Sequence, residues 1–212
     1  GDPHLGRRFK TGVPLHRMGE REAMVWRDFR HGIETATSKF HICMGDLFDK
    51  AVVPPAVVIR AAQIYAAGNP SVTYIILRGN HDASKDTTKK SSFDLFKLLV
   101  APLSNVVVVE QALVGSDNVA FIPYDPFMTA AEQVAALPDN LAAVFMHHDY
   151  QDWGGDYVIP TQQLADKGIT QVINGHDHLA REETRHGVTV LMTGSLQPFS
   201  HAEDNTGEWY LT

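Results

Sequence analysis

The sequence predicts an α/β protein in which two mixed β-sheets pack face to face with helices on their outer sides. Three observations lead there. Short apolar, β-prone runs alternate with helical stretches through the first half of the chain. The second half is richer in strands, as expected when two sheets are stacked. Polar clusters, three of them opened by glycine, follow four of the apolar runs: GDLFD at 45–49, GNHD at 79–82, HH at 147–148 and GHDH at 175–178. A fifth cluster, DPH at 2–4, opens the chain. Ligands collect at the carboxyl ends of strands in sheets flanked by helices, so these clusters are expected to converge on one rim.

Taken in order, a basic loop after DPHLG leads into a helix over 17–38, with Met24, Val25, Phe29 and Ile33 close to one face. A strand over 40–44 precedes GDLFD, and a helix over 54–67 opens with proline and closes at Gly68-Asn69-Pro70. A strand over 72–77 precedes GNHD, followed by an amphipathic helix over 91–100 and strands over 106–109 and 119–122. A helix over 129–137, a strand over 141–146, a short helix over 161–167 stopped by Gly168 and a strand over 170–173 carry the chain to GHDH. Strands over 181–185 and 188–192, joined at His186-Gly187, read as a hairpin, and 208–211 as a last strand.

At 212 residues, with 44% hydrophobic and 20% charged residues, the chain suits one domain spanning 1–212. A DPH loop is expected to follow a buried strand, so the natural protein is expected to begin before Gly1, and residues 1–212 are expected to be a domain core without its first strand or any C-terminal capping region. No apolar run approaches the roughly 18 residues of a membrane span, and no membrane partner is expected. Cys43 is the single cysteine, which excludes an intrachain disulfide and points to an inert buried thiol in a reducing cytoplasm. Net charge is −7, unevenly spread: residues 1–97 hold 15 of the 18 Lys and Arg against 10 of the 25 Asp and Glu, a net of +5, and residues 98–212 a net of −12. A basic front half fits a polyanion crossing one side of the molecule.

The clusters contain the donors that a pair of divalent metals needs. Asp2, Asp46 and Asn80 offer oxygens; His4, His147, His176 and His178 offer nitrogens. Mixed oxygen and imidazole donors suit manganese, iron or zinc rather than a thiolate-bound metal. Two such ions, about 3.5–4 Å apart, clamp the attacking and leaving oxygens of a phosphoester. Gly45, Gly79 and Gly175 each precede a cluster, where a missing side chain permits a sharp turn.

The ordered set D-x-H, GDxxD, GNHD, H and GHxH, from Asp2 to His178, resembles the calcineurin-like metallophosphoesterases. The resemblance implies a four-layer αββα sandwich. It implies Asp2, His4, Asp46 and His178 around a first metal and Asp46, Asn80, His147 and His176 around a second, with Asp46 shared. It also implies that His81 is the catalytic histidine at the leaving oxygen, and that Asp49 and Asp82 orient histidines and fix their tautomers. Spacing does not settle His147 against His148; His147, next to the strand, is the expected ligand. HLG after the first aspartate, the Arg-rich helix, GDLFD and the closing segment TGSLQPFSHAEDNTGEWYLT resemble the SbcD-type DNA-repair exonucleases. That resemblance implies manganese-dependent hydrolysis of DNA, with an SbcC-type ATPase as partner; a homodimer is also expected. Arg7, Arg8, Lys85, Lys89 and Lys90 are candidates for phosphate contacts. Trp153 is a candidate for stacking on a base or sugar, with loop packing as its alternative. His41, His186 and His201 read as structural or surface residues. Against the nuclease stand a small-substrate phosphatase or cyclic-nucleotide phosphodiesterase with the same site, and a non-catalytic interaction scaffold.

Overall fold

A computed structural model describes residues 1–10, 13–86, 88–151 and 155–199. Strands β1 (Phe40–Cys43), β2 (Thr73–Leu77) and β3 (Val106–Val109) form a sheet in that order, parallel throughout. A second sheet has the order β4 (Leu113–Val114), β5 (Val119–Ile122), β6 (Ala143–Met146), β7 (Gln171–Asn174), β9 (Val188–Met192) and β8 (Arg181–Arg185). Its four inner strands are parallel, and β4 and β8 pair antiparallel at the edges.

The side-chain alternation of β2 explains the layering. Tyr74 and Ile76 join a core with Phe29, Ile33 and Phe96 beneath helices α1 (Glu20–Glu34), α2 (Pro55–Ala66) and α3 (Ser92–Val100). Ile75 and Leu77 point the other way, into a cluster shared with Phe121 of the second sheet. In β6, Phe145 packs against that same cluster, while Val144 and Met146 meet Val134 and Leu164 of helices α4 (Ala130–Ala135) and α5 (Thr161–Asp166). Each inner strand is thus covered on both faces, which is why it reads as an unbroken apolar run.

The first helix is shorter than the sequence reading. Residues Leu15–Arg17 form a separate 3-10 turn, and the helix starts after Gly19, whose φ is +89°. It stops at Glu34, where the Thr35 N–H and hydroxyl both donate to the His31 carbonyl. Its buried face is Val25, Trp26, Phe29 and Ile33; Met24 lies outside it, 41% exposed. Helices α3 and α4 both begin in capping boxes, Ser91 with Asp94 and Thr129 with Glu132. The two-residue β4 gave no periodic signal. The expected strand over 208–211 lies outside the described residues.

Backbone bonds bring the opening of the chain onto the rim. His4 N–H donates to the Asp46 carbonyl and Leu5 N–H to the Leu47 carbonyl, while Asp2 bridges Ser195 beyond β9. Asp82 ties the next loop in: its fully buried carboxylate accepts from the N–H groups of Leu47, Phe48 and Gly79 at 2.9–3.1 Å. Burial, and next the charge of Asp46, push the Asp82 carboxyl up to about 7, against the pull of these three donors. Asp82 is expected from the sequence to orient a histidine; its carboxylate instead orients these backbone amides. Asp82→Asn would turn an amide N–H₂ toward a backbone donor, and should cost about 1–3 kcal/mol of unfolding free energy in a denaturant titration. A loss below about 0.5 kcal/mol would show that the clamp contributes little.

Candidate metal centre

Every ligand candidate sits just beyond a strand or within the opening segment, and three of them hold unusual backbone. His4, Asp46 and His176 have φ of 45°, 46° and 68°, in the left-handed region that a residue with a Cβ enters at a cost. The glycines beside them serve close approach more than turning. A Cβ at Gly79 would collide with the backbone nitrogen and carboxylate of Asp46, and one at Gly45 with the ring of His147. Only Gly45 among the three cluster glycines has positive φ, +113°.

The seven candidates come together around Asp46. Its Oδ2 lies 3.5 Å from His4 Nε2 and its Oδ1 3.4 Å from His147 Nε2, so one carboxylate faces both halves of the site. On the first side, ligand atoms of Asp2, His4 and His178 lie within 4.8 Å of one another, and the Nε2 atoms of His4 and His178 are 3.0 Å apart. On the second, Asp46, His147 and His176 form an equally tight group. Asn80 Oδ1 lies 3.0 Å from both His147 Nε2 and His176 Nδ1.

The donor set fits divalent cations on two counts. Both carboxylate oxygens of buried Asp2 lack a hydrogen-bond partner, an arrangement that costs several kcal/mol unless a cation compensates it. The tautomers are also set: His147 Nδ1 donates to the Met44 carbonyl at 2.7 Å, leaving Nε2 facing Asp46 and Asn80. His176 Nε2 meets Asp149 Oδ1 at 2.7 Å, leaving Nδ1 facing Asn80.

Charge follows from burial. Desolvation, partly offset by Asp46, lowers His4 to about 3 and keeps its ring neutral. Desolvation also acts to lower His147, but the charges of Asp46 and Asp2 outweigh it and raise it to about 9. Asp2 is raised, chiefly by its own burial. Desolvation acts to raise Asp46 too, but His147 and then His4 overcome it and hold the carboxyl low.

The rest of the sequence-predicted residues divide. His81 is exposed on the rim and groups with His4 and Asp46; its Nδ1 donates to the Asp49 carbonyl at 2.6 Å and its N–H to Asp46 Oδ1 at 2.8 Å. Asp49 therefore holds His81 through its backbone, while its carboxylate faces Arg7 at 3.7 Å and no ligand histidine. His148 is not in the cluster: its buried ring has no hydrogen-bond partner on either nitrogen, and burial lowers it to about 3. Arg7 and Arg8 line a groove beside His4, and Lys85 lines a small pocket with Asn80, His147 and His176. Lys89 and Lys90 turn away, to Asp86 at 2.9 Å and Asp94 at 3.9 Å. Trp153 and His201 lie outside the described residues. His41 is pushed down to about 4 by burial, and His186 in the β8–β9 turn bonds Thr161 at 2.8 Å; neither is near the cluster. Cys43 is buried, its thiol pushed up to about 12.

Asp149 was missed. Its signal was the acid following the His147-His148 pair, which only the fold connects to His176. A larger cavity, about 610 Å³, lies at the ends of β2 and β3, but its charges pair among themselves, Arg78 with Glu110 and Asp125 and Lys97 with Glu110.

Metal uptake at pH 7 should release the proton that His147 carries in the metal-free protein, and affinity should climb as pH rises toward about 9. Calorimetry in buffers of different ionisation enthalpy would read this, and metal binding without proton release would contradict it. Asp149→Ala should weaken metal affinity by about 10–100-fold through His176, as seen by equilibrium dialysis. Unchanged affinity would remove Asp149 from the site.

A family model described as "Calcineurin-like phosphoesterase" matches residues 1–180. A search of curated proteins gave no match. Among solved structures, the Thermus thermophilus protein TT1561 aligns over 85% of this chain and 86% of its own, with 11% identity and a TM-score of 0.52. GAP50, the anchor in the inner membrane complex of Plasmodium, aligns over 85% and 70%, with 14% identity and a TM-score of 0.50. The phosphopantetheinyl hydrolase PptH of Mycobacterium tuberculosis aligns over 76% and 83%, with 11% identity and a TM-score of 0.47. At these identities the likeness concerns the fold alone.

Proposed function

We infer a two-metal DNA phosphodiesterase from one premise: the chain belongs to the calcineurin-like phosphoesterase family, metal-dependent hydrolases of phosphoesters. The observation that carries the reading is Asp46, whose two oxygens face His4 on one side and His147 on the other. Asp2, His4 and His178 would hold one divalent ion and Asn80, His147 and His176 the other, with Asp46 common to both. Manganese is the ion proposed, and iron or zinc suit the same donors. Held there, such ions supply Lewis acidity and charge neutralisation to a phosphodiester.

The chain's own residues supply the rest. His81 is the one exposed imidazole of the cluster, and the Asp49 carbonyl fixes its Nδ1–H, so as an imidazolium it would give its Nε2 proton to a leaving oxygen and return to the neutral Nδ1–H form. Arg7, about a third exposed and stacked 4.5 Å over Phe199, lines the groove that His4 enters, where a guanidinium can meet phosphate. DNA as substrate is supported by the basic balance of residues 1–97 and by the SbcD-like HLG and GDLFD motifs. An SbcC-type ATPase and a homodimer belong to the same reading. The net charge of −7 favours the alternative, a small-phosphoester hydrolase.

With manganese and a single-stranded DNA substrate, His81→Asn should lower turnover by about 10²–10⁴-fold while metal content and substrate affinity stay near wild type. His178→Asn should lose metal along with activity. If His81→Asn released metal or turned over normally, its role would be refuted. DNA cleavage should also fall as salt rises from about 50 to 200 mM. Hydrolysis of phosphomonoesters with no cleavage of any polynucleotide would instead establish the alternative.

A further inference from the structure

A groove of about 350 Å³ runs from His4 between the Arg7–Arg8 loop and the facing sides of α1 and α2, with Trp26 and Arg60 in its lining. Its charge is unbalanced: three guanidinium groups, from Arg7, Arg8 and Arg60, against one carboxylate, Glu22. Glu22 accepts the Phe9 N–H at 3.2 Å through Oε1, while its buried Oε2 has no hydrogen-bond partner, so the net charge of the groove is that of three guanidiniums and one carboxylate. Arg7 has Asp49 at 3.7 Å, but among the described residues neither Arg8 nor Arg60 has a carboxylate within ion-pair distance. Arg60 is exposed, and its guanidinium lies 4.2 Å over the ring of buried Trp26. The nearby Arg30, occupied with Glu34 at 3.9 Å, adds to the positive field there, and Arg60 is accordingly shifted down, first by desolvation and then by Arg30.

An unpaired guanidinium packed 4.2 Å over an indole has lost part of its rotamer entropy before any ligand arrives, and Arg60, exposed and lining the groove, keeps its N–H donors for one. Trp26 is covered on that face, so it serves as a support for Arg60 rather than as a platform for a base. The volume is at the lower end of cavities that hold a single small molecule. A nucleotide-sized unit fits; a duplex does not.

Resting on the reading of the chain as a DNA phosphodiesterase, we propose that this groove carries the sugar–phosphate backbone of a single strand away from the Asp2–His4 side of the metal centre, with Arg8 and Arg60 as its phosphate contacts. The substrate class is then a single-stranded or locally opened polynucleotide, and the neighbouring phosphates add to its binding. Hydrolysis itself is the reaction already assigned, water cleaving one P–O bond. The groove contributes affinity and direction.

The test compares bis-p-nitrophenyl phosphate with a DNA dinucleotide, tetranucleotide and octanucleotide, using manganese-loaded full chain from about 50 to 200 mM salt. In the wild type, KM should fall as the strand lengthens, and the gain should shrink with salt. Arg60→Glu should raise the octanucleotide KM roughly tenfold and lower the salt slope by about one, with bis-p-nitrophenyl phosphate reporting that the metal centre is assembled. Arg8→Glu, on an exposed loop with no packing role, should act in the same direction and decides the matter if Arg60→Glu fails to fold. If the wild type cleaves oligonucleotides and both charge reversals leave KM unchanged at every length, the groove proposal is wrong and the nuclease reading stands. If the wild type cleaves only bis-p-nitrophenyl phosphate, the nuclease reading falls and this proposal with it.

Discussion

Two carboxylates buried within one cluster set the terms for the rest of this molecule. The Asp2 carboxylate is fully buried with no hydrogen-bond partner on either oxygen, and Asp46 is 1% exposed among imidazoles. A protein interior tolerates such groups only when opposite charge or good donors meet them. Without metal, the proton on His147 supplies part of that charge, and with metal the same oxygens and nitrogens become ligands. The cluster therefore stores an unfavourable arrangement that cation binding relieves, and the surrounding backbone has to hold it in place.

That holding is done by contacts far apart in sequence. The opening segment hangs from the Asp46 and Leu47 carbonyls, and Asp82 gathers three amides of two loops onto one carboxylate. The Met44 carbonyl and Asp149 choose which ring nitrogen of His147 and His176 faces inward. The left-handed backbone at His4, Asp46 and His176 persists because sheet ends and these bonds over-determine it. The stacked sheets matter to function mainly by making such loops meet at one rim.

Much of this could be read from the chain, for identifiable reasons. Strands such as β3, β5 and β9 matched their expected bounds because apolar runs end abruptly at glycine or polar residues, and the polar β8 did so because the His186-Gly187 turn places it opposite β9. Five of the seven ligand candidates, Asp46, Asn80, His147, His176 and His178, were visible as chemically unusual residues at the ends of apolar runs, whereas Asp2 and His4 were legible only through their place in the ordered set of motifs. What escaped is what depends on distant partners. GDLFD and GNHD show Asp49 and Asp82, but not that one presents its carbonyl and the other binds amides. The placement of Arg60 has no sequence signature either, since a single arginine in an apolar helix is ordinary; only the fold sets it over Trp26 and in one groove with Arg8. Met24 was misplaced because a residue one position off the buried face reads as part of it when the helix bounds are too wide.

The central claim is that Asp46 is shared between two metal ions. Anomalous diffraction at the manganese edge, from crystals of the manganese-loaded chain, tests it most directly. The account predicts two peaks about 3.5–4 Å apart on either side of the Asp46 carboxylate, one against Asp2, His4 and His178 and the other against Asn80, His147 and His176. A single peak, or none, in protein that still hydrolyses a phosphodiester would contradict it.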